Sequence, residues 1–174
     1  MTPAEFNAWF DHATTSLFRL ETLQTYDTTG DAAFAAFRAG TPRPERSVRT
    51  SPWMRRIAVT TANGVDWSRV RIVTWPLTEY TRYELVGYVE SQAVGDRTRL
   101  LSGPDGHGPD FWLRDGGTDH AEAIAMHYPP GGGLPRYEVV TDPERLAALH
   151  AIAVELSERA TPLNEFLASN ALVS

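Results

Sequence analysis

Arg69 and Arg71, two residues apart, are followed by Trp75, Glu79, Tyr80, Arg82, Tyr83 and Glu84, the densest run of side chains in this sequence that could do chemistry. A guanidinium fork matches the two oxygens of a carboxylate or phosphate, and an aromatic face beside it stacks on a planar group. Residues two apart in a strand share one face, so both arginines point the same way and the helix start at Glu79 closes a strand-to-helix corner around them. Arg19 and Glu21 repeat the spacing on what reads as a neighbouring strand. With Trp112, His127 and Tyr128 from later segments, the candidate binding residues are Arg19, Glu21, Arg69, Arg71, Trp75, Glu79, Tyr80, Arg82, Tyr83, Trp112, His127 and Tyr128. The same residues could instead form a structural ion-pair network in which Glu21, Glu79 and Glu84 neutralise the arginines. Both readings stand at this point.

Other polar groupings are weaker. Asp105-Gly106-His107-Gly108-Pro109-Asp110 sets two carboxylates and an imidazole within six residues, enough for a hard metal or an acid/base pair, yet its glycines equally suit a surface turn. His120 and His127 are seven apart, which in one strand places them on opposite faces and argues against joint metal ligation. Gly131–Gly133 follows Pro129-Pro130 and precedes a strand, so it reads as a turn and lacks the helix start that would bind phosphate. There is no cysteine, and all 16 basic residues are arginine. Thiolate nucleophiles, cysteine-ligated metals, Schiff-base lysines and P-loop lysines are therefore excluded. No nucleophile elbow, dinucleotide fingerprint or zinc-protease motif occurs. No catalytic residue, metal ligand or cofactor is assigned, and the expectation leans towards a protein that is not an enzyme. The enzymatic alternative is action on a phosphate ester or RNA, with Arg71 and Arg82 holding the anion and His127, Glu79 or Asp110 as acid/base.

Composition bounds the partners. The net charge of −6 does not suit a nucleic-acid coat, which makes nucleic acid a disfavoured but open partner beside a regulator protein or a small anionic ligand. Charge is nonetheless uneven. Between residues 43 and 71, seven arginines (Arg43, Arg46, Arg49, Arg55, Arg56, Arg69, Arg71) face only Glu45 and Asp66; from residue 100 onward, four arginines face eleven acids. The basic stretch is expected to be solvated or to face the acidic C-terminal part. With 42% apolar residues over 174 positions the chain suits one domain, residues 1–174. No segment approaches the roughly 18 apolar residues of a membrane span, and Met-Thr-Pro-Ala-Glu has no signal-peptide character, so a cytoplasmic protein without membrane contact is expected.

The elements that must position these residues follow from periodicity. Thr2-Pro3-Ala4-Glu5 is a capping box opening a short helix. Leu17–Tyr26 alternates as a strand, and Asp31–Ala39 reads as a helix stopped by Gly40. Residues 41–52, with three prolines, form an extended connection. Trp53–Ala62 and Trp67–Trp75 flank Asn63-Gly64 and read as a hairpin. Thr78 caps a helix from Glu79 to Ser91. Arg97–Leu101, Asp110–Arg114, Ala121–Tyr128 and Pro135–Thr141 follow as the strands of an antiparallel meander, and Asp142-Pro143-Glu144 opens a long helix that restarts at Thr161-Pro162. The fold class is α+β: a mostly antiparallel sheet of six or seven strands, with helices at both chain ends and one after the central hairpin.

Phe18-Arg19-Leu20-Glu21-Thr22, the run Arg69–Tyr80, Arg82-Tyr83-Glu84-Leu85, Asp110-Phe111-Trp112-Leu113 and Thr161–Phe166 together resemble an uncharacterised actinobacterial family, a domain of unknown function often encoded beside helix-turn-helix regulators. The resemblance covers nearly the whole chain. It implies a non-catalytic regulatory or interaction module, the partner of such a regulator in a toxin–antitoxin-like pair, and no established reaction or cofactor. The sequence departs from the pattern at Gly116–Glu122, a longer turn before Met126-His127-Tyr128.

Overall fold

The computed structural model describes residues 1–103 and 109–170. Asp105 and His107 of the acid–imidazole loop lie outside the described residues. The elements run α1 (Pro3–Trp9), β1 (Ser16–Glu21), α2 (Ala32–Ala39), α3 (Pro52–Ala62), β2 (Asp66–Val73), α4 (Glu79–Gln92), β3 (Asp96–Ser102), β4 (Asp110–Arg114), β5 (Glu122–His127), β6 (Arg136–Val140), α5 (Pro143–Arg159), β7 (Thr161–Pro162) and α6 (Leu163–Ser169). A single 3-10 turn, Phe10–His12, extends α1. The fold is α+β. One seven-stranded sheet has the order β6-β5-β4-β1-β2-β3-β7.

Local chemistry explains the helix ends. Thr2 and Glu5 form the reciprocal capping box of α1. Asp31, Thr78 and Asp142 each accept a hydrogen bond from a first-turn N–H of α2, α4 and α5, and Gly40 ends α2 at φ 64°. The central hairpin is a correction. Residues Pro52–Ala62 form α3, because Ser51 caps Met54 N–H, Pro52 sits at the first turn, and Met54 and Ile57 bury one helical face. Asn63 and Gly64 then end that helix, with Gly64 at φ 93°, and do not turn a hairpin.

β2 consequently pairs parallel with β1 and with β3, joined to them by helical crossovers, as parallel neighbours require. The remaining pairs, β1–β4, β4–β5, β5–β6 and β3–β7, are antiparallel. The sheet is thus mixed, and the meander holds three strands, β4–β6, with β3 on the far side of β2. One sheet face carries Phe18, Leu20, Val70, Ile72, Phe111 and Leu113 under α5, a wholly apolar core. The other carries Leu17, Trp67, Trp112 and Ile124 beneath α1 and α3, where Phe10 and Ile57 complete the packing. No helix among the described residues is long and apolar enough to cross a membrane.

Asp115, buried at φ 52° just after β4, ties the start of β1 in place. Its carboxylate accepts from Thr14 N (3.0 Å), Thr15 N (2.7 Å), Ser16 N (3.1 Å) and Thr15 Oγ1 (3.0 Å). Burial opposes ionisation, but these donors outweigh it and hold the carboxyl below its ordinary range. Removing a charged acceptor with several buried donors should cost about 3 kcal/mol. For a chain this long, Asp115→Ala should therefore lower Tm by roughly 6–12 °C. Asp115→Asn, which tolerates the backbone angle and keeps one acceptor, should lose less, and thermal unfolding followed by circular dichroism compares them.

Candidate functional site

The alternation of β1 and β2 places Arg19 and Glu21 beside Arg69 and Arg71 on the face under α4, because Arg19 registers with Arg69 and Glu21 with Arg71. β3 adds Asp96, and β4 adds Asp110 and Trp112. Glu21 is the hub: Arg69 Nη1 donates to its Oε1 at 2.6 Å, Arg19 Nε at 3.4 Å, and the Tyr88 hydroxyl to its Oε2 at 2.5 Å. Arg19 Nη2 reaches Asp110 at 2.9 Å, and Arg69 Nη2 reaches Asp96 at 3.0 Å. Asp110 also accepts from Thr22 N and from the Tyr26 hydroxyl. The Arg19 and Arg69 guanidiniums lie 5.4 and 5.6 Å from the Trp112 ring centre. Burial alone would raise Glu21, but Arg69, Arg19 and Arg71 reverse that and hold it far below the usual carboxylate range. Glu84, on α4, moves the other way: burial and the nearby Glu21 charge push its carboxyl up.

A cavity of about 370 Å³ opens over this cluster, within the range of roughly 300–1,000 Å³ typical of small-molecule sites. Arg19, Glu21, Arg69, Trp112 and Met126 line it from the sheet; Phe6, Phe10 and Trp53 from α1, its extension and α3; and Tyr83, Glu84, Gly87 and Tyr88 from α4. Arg69 is nine-tenths buried, and its Nε makes no hydrogen bond. At the rim Arg43 and Arg46 share one acid, Glu90, and Arg46 Nη1 also donates to Gly87 O and Ser91 Oγ. A second chamber of about 380 Å³, sharing Arg19 and Glu21, is lined by Tyr26, Tyr80, Tyr128 and residues 132–135. A broader hollow of about 830 Å³ lies on the opposite face between α5 and the starts of β1–β3, where Arg97 pairs with Asp66 and Arg99 donates to Ala160 O. Among the described residues no three histidine or carboxylate side chains are grouped to hold a metal ion.

Of the residues singled out by sequence, Arg19, Glu21, Arg69, Arg71, Tyr80, Tyr83, Trp112 and Tyr128 gather around these two chambers. The rest lie elsewhere. Trp75 is half exposed, stacks on Phe166 and donates to Ser102. Glu79 pairs with Arg38 at the surface, and Arg82 is exposed. His127 shares the α5 face with Ala123 and Ala125, bonding Glu138 at 2.8 Å, while His120 precedes β5 in an exposed turn. The acid/base set of Arg71, Arg82, His127, Glu79 and Asp110 therefore does not converge on one point. Sequence reasoning missed Tyr26, Tyr88, Trp53 and Asp96, whose place depends on strand order and helix packing. It also missed Arg43 and Arg46 as rim residues, although the basic stretch that contains them is plain in the sequence. That stretch is mostly paired internally, and among the described residues its acidic partners are Asp11, Glu21, Glu90 and Asp96, none from the acidic C-terminal part.

The model of a family described as a domain of unknown function (DUF6879) matches residues 4–168. No curated protein matches. Among solved structures, TrmBL2, an archaeal chromatin protein whose structure shows a novel mode of DNA binding, aligns at 12% identity with a TM-score of 0.49, covering 91% of this chain and 49% of that one. The chain thus spans about half the length of that protein, and a likeness this weak carries no functional weight.

Proposed function

The chain belongs to the family of domains of unknown function DUF6879, and we propose that it is a non-catalytic binding module whose aromatic cavity takes a small anionic ligand with a planar ring. The observation that carries this reading is the 370 Å³ cavity itself, walled by Phe10, Trp53, Trp112 and Tyr88 and rimmed by two arginines that share one glutamate. Within the cluster below, Arg19, Arg69 and Arg71 are balanced by Glu21, Asp96 and Asp110, and Glu84 beside them has its carboxyl pushed up by burial, so the floor offers no excess positive charge. The rim carries an excess positive charge and open guanidinium donors. A ring would lie among the edge-to-face aromatic set, and its carboxylate or phosphate would meet Arg43 and Arg46. Such a module would act as one unit with a regulator protein of the helix-turn-helix kind reading its occupancy.

Trp53 and Trp112 report on the cavity directly. Titration with phenyl phosphate or benzoate should quench tryptophan fluorescence saturably, while benzyl alcohol, which has a ring and no charge, should bind weakly. Arg43→Ala with Arg46→Ala should weaken the anionic probes roughly tenfold or more, the loss of one charge-assisted hydrogen bond. Equal binding of benzyl alcohol, or unchanged affinity in the double variant, would sink the proposal.

A further inference from the structure

Arg71 is fully buried, and none of its three guanidinium nitrogens makes a hydrogen bond. Its nearest acid is Glu21 Oε2 at 3.8 Å, a carboxylate already engaged by Arg69, Arg19 and Tyr88. Five N–H donors in a water-poor interior without an acceptor are costly, and such groups in folded proteins ordinarily find a partner. Around it Tyr88 and the partly buried Glu84 of α4 also act on its charge without hydrogen-bonding it, and two rings lie over it: its guanidinium carbon is 5.1 Å from the Tyr26 ring centre and 6.0 Å from that of Tyr80. Both rings are only partly buried, and both line the second chamber, together with Glu21 and Tyr128. Arg71 itself does not line the chamber; Tyr26, from the loop after β1, and Tyr80, from the first turn of α4, both line it and lie over the guanidinium.

We propose that the tyrosine chamber is an anion subsite in its own right, in which a carboxylate or phosphate group entering between Tyr26 and Tyr80 takes the unpaired donors of Arg71. The fork accepts either anion through two parallel hydrogen bonds, and the tyrosine faces exclude water from the pair. The subsite goes beyond the aromatic cavity and does not depend on it, since Arg43 and Arg46 line only the latter.

Nitrogen-15 NMR of the arginine Nε–H groups tests this, with the Arg71 signal assigned by its loss in Arg71→Lys. Sodium phosphate and sodium formate, titrated separately at constant ionic strength against chloride, should each shift the Arg71 signal saturably, and their relative affinities tell phosphate from carboxylate. Tyr80→Ala, which removes one covering ring and leaves Arg71 intact, should retain the shift but require a higher anion concentration, because water then reaches the pair. In Arg71→Lys the anion affinity read from the neighbouring Arg19 and Arg69 signals should fall roughly tenfold. An Arg71 signal that stays still, or that moves equally with chloride, overturns the subsite. If the Arg43 and Arg46 signals still respond to phenyl phosphate in that experiment, the rim reading survives its failure.

Discussion

Glu21→Leu should destabilise the protein by about 3–5 kcal/mol, the range expected when one member of a buried charge network is removed and its partners are left behind. The expectation follows from the position of this one carboxylate. Arg69 at 2.6 Å, Arg19 at 3.4 Å and Arg71 at 3.8 Å all converge on it, and Tyr88 donates to it from α4. Without it three buried guanidiniums share Asp96 and Asp110, and Arg71 retains no acid within salt-bridge reach among the described residues. Glu21→Gln keeps the volume but surrenders the charge, so it should fall between leucine and the parent. Urea unfolding at neutral pH measures both, and a loss under about 1 kcal/mol for leucine would mean the arginines are compensated in some other way. The pH dependence has a definite sign. The folded-state pKa of Glu21 lies below the unfolded value of about 4.3, so its contribution is fully present above that pH. It is lost as the pH falls through the folded value. The parent should therefore lose stability on acidification below about pH 4 more steeply than Glu21→Gln does.

Phe10→Ala should have a comparable effect for a different reason. Phe10 is wholly buried at the end of α1, with its ring centre within 4.9–6.2 Å of Phe6, Trp9, Trp53, Trp67 and Trp112. Truncating such a ring removes its transfer energy and leaves a void, typically about 3–5 kcal/mol. Because Phe10 also walls the aromatic cavity, the void joins the binding site. Binding of phenyl phosphate should weaken in parallel with stability, whereas Phe10→Leu should recover most of the stability and less of the affinity. Calorimetric unfolding beside a fluorescence titration separates the two losses.

Much of the fold is legible in short stretches of sequence, and the exceptions are instructive. The ends of α1, α2, α4 and α5 follow from Thr2, Asp31, Thr78 and Asp142, whose side chains cap within three residues. β4, β5 and β6 follow from short segments set off by the glycine- and proline-rich turns between them. α3 is where reading by turn chemistry fails. Asn63-Gly64 suits both a hairpin and a helix stop, and Ser51-Pro52 ahead of Trp53 with Met54 and Ile57 at helical spacing decides for the helix. Once that segment is a helix, β2 has no hairpin partner and lies parallel between β1 and β3.

The candidate site divides along the same line. That Arg19 shares a face with Glu21, and Arg69 with Arg71, is a property of the two-residue strand period and is legible in the sequence by itself. So are the absence of lysine and cysteine chemistry and the aromatic character of the helix that follows β2. Which acid meets which arginine is not legible there, because it depends on strand order: Asp110 reaches Arg19 only because β4 pairs with β1, and Asp96 reaches Arg69 only because β3 pairs with β2. Trp75, Glu79 and His127 stand apart from the cluster for equally nonlocal reasons, a surface stack, a surface ion pair and the opposite sheet face. Local rules set backbone periodicity and caps through atoms a few bonds apart. The partners of a buried charge are set by contacts between segments far apart in the chain, 91 residues for Arg19 and Asp110, and only the folded sheet brings those together.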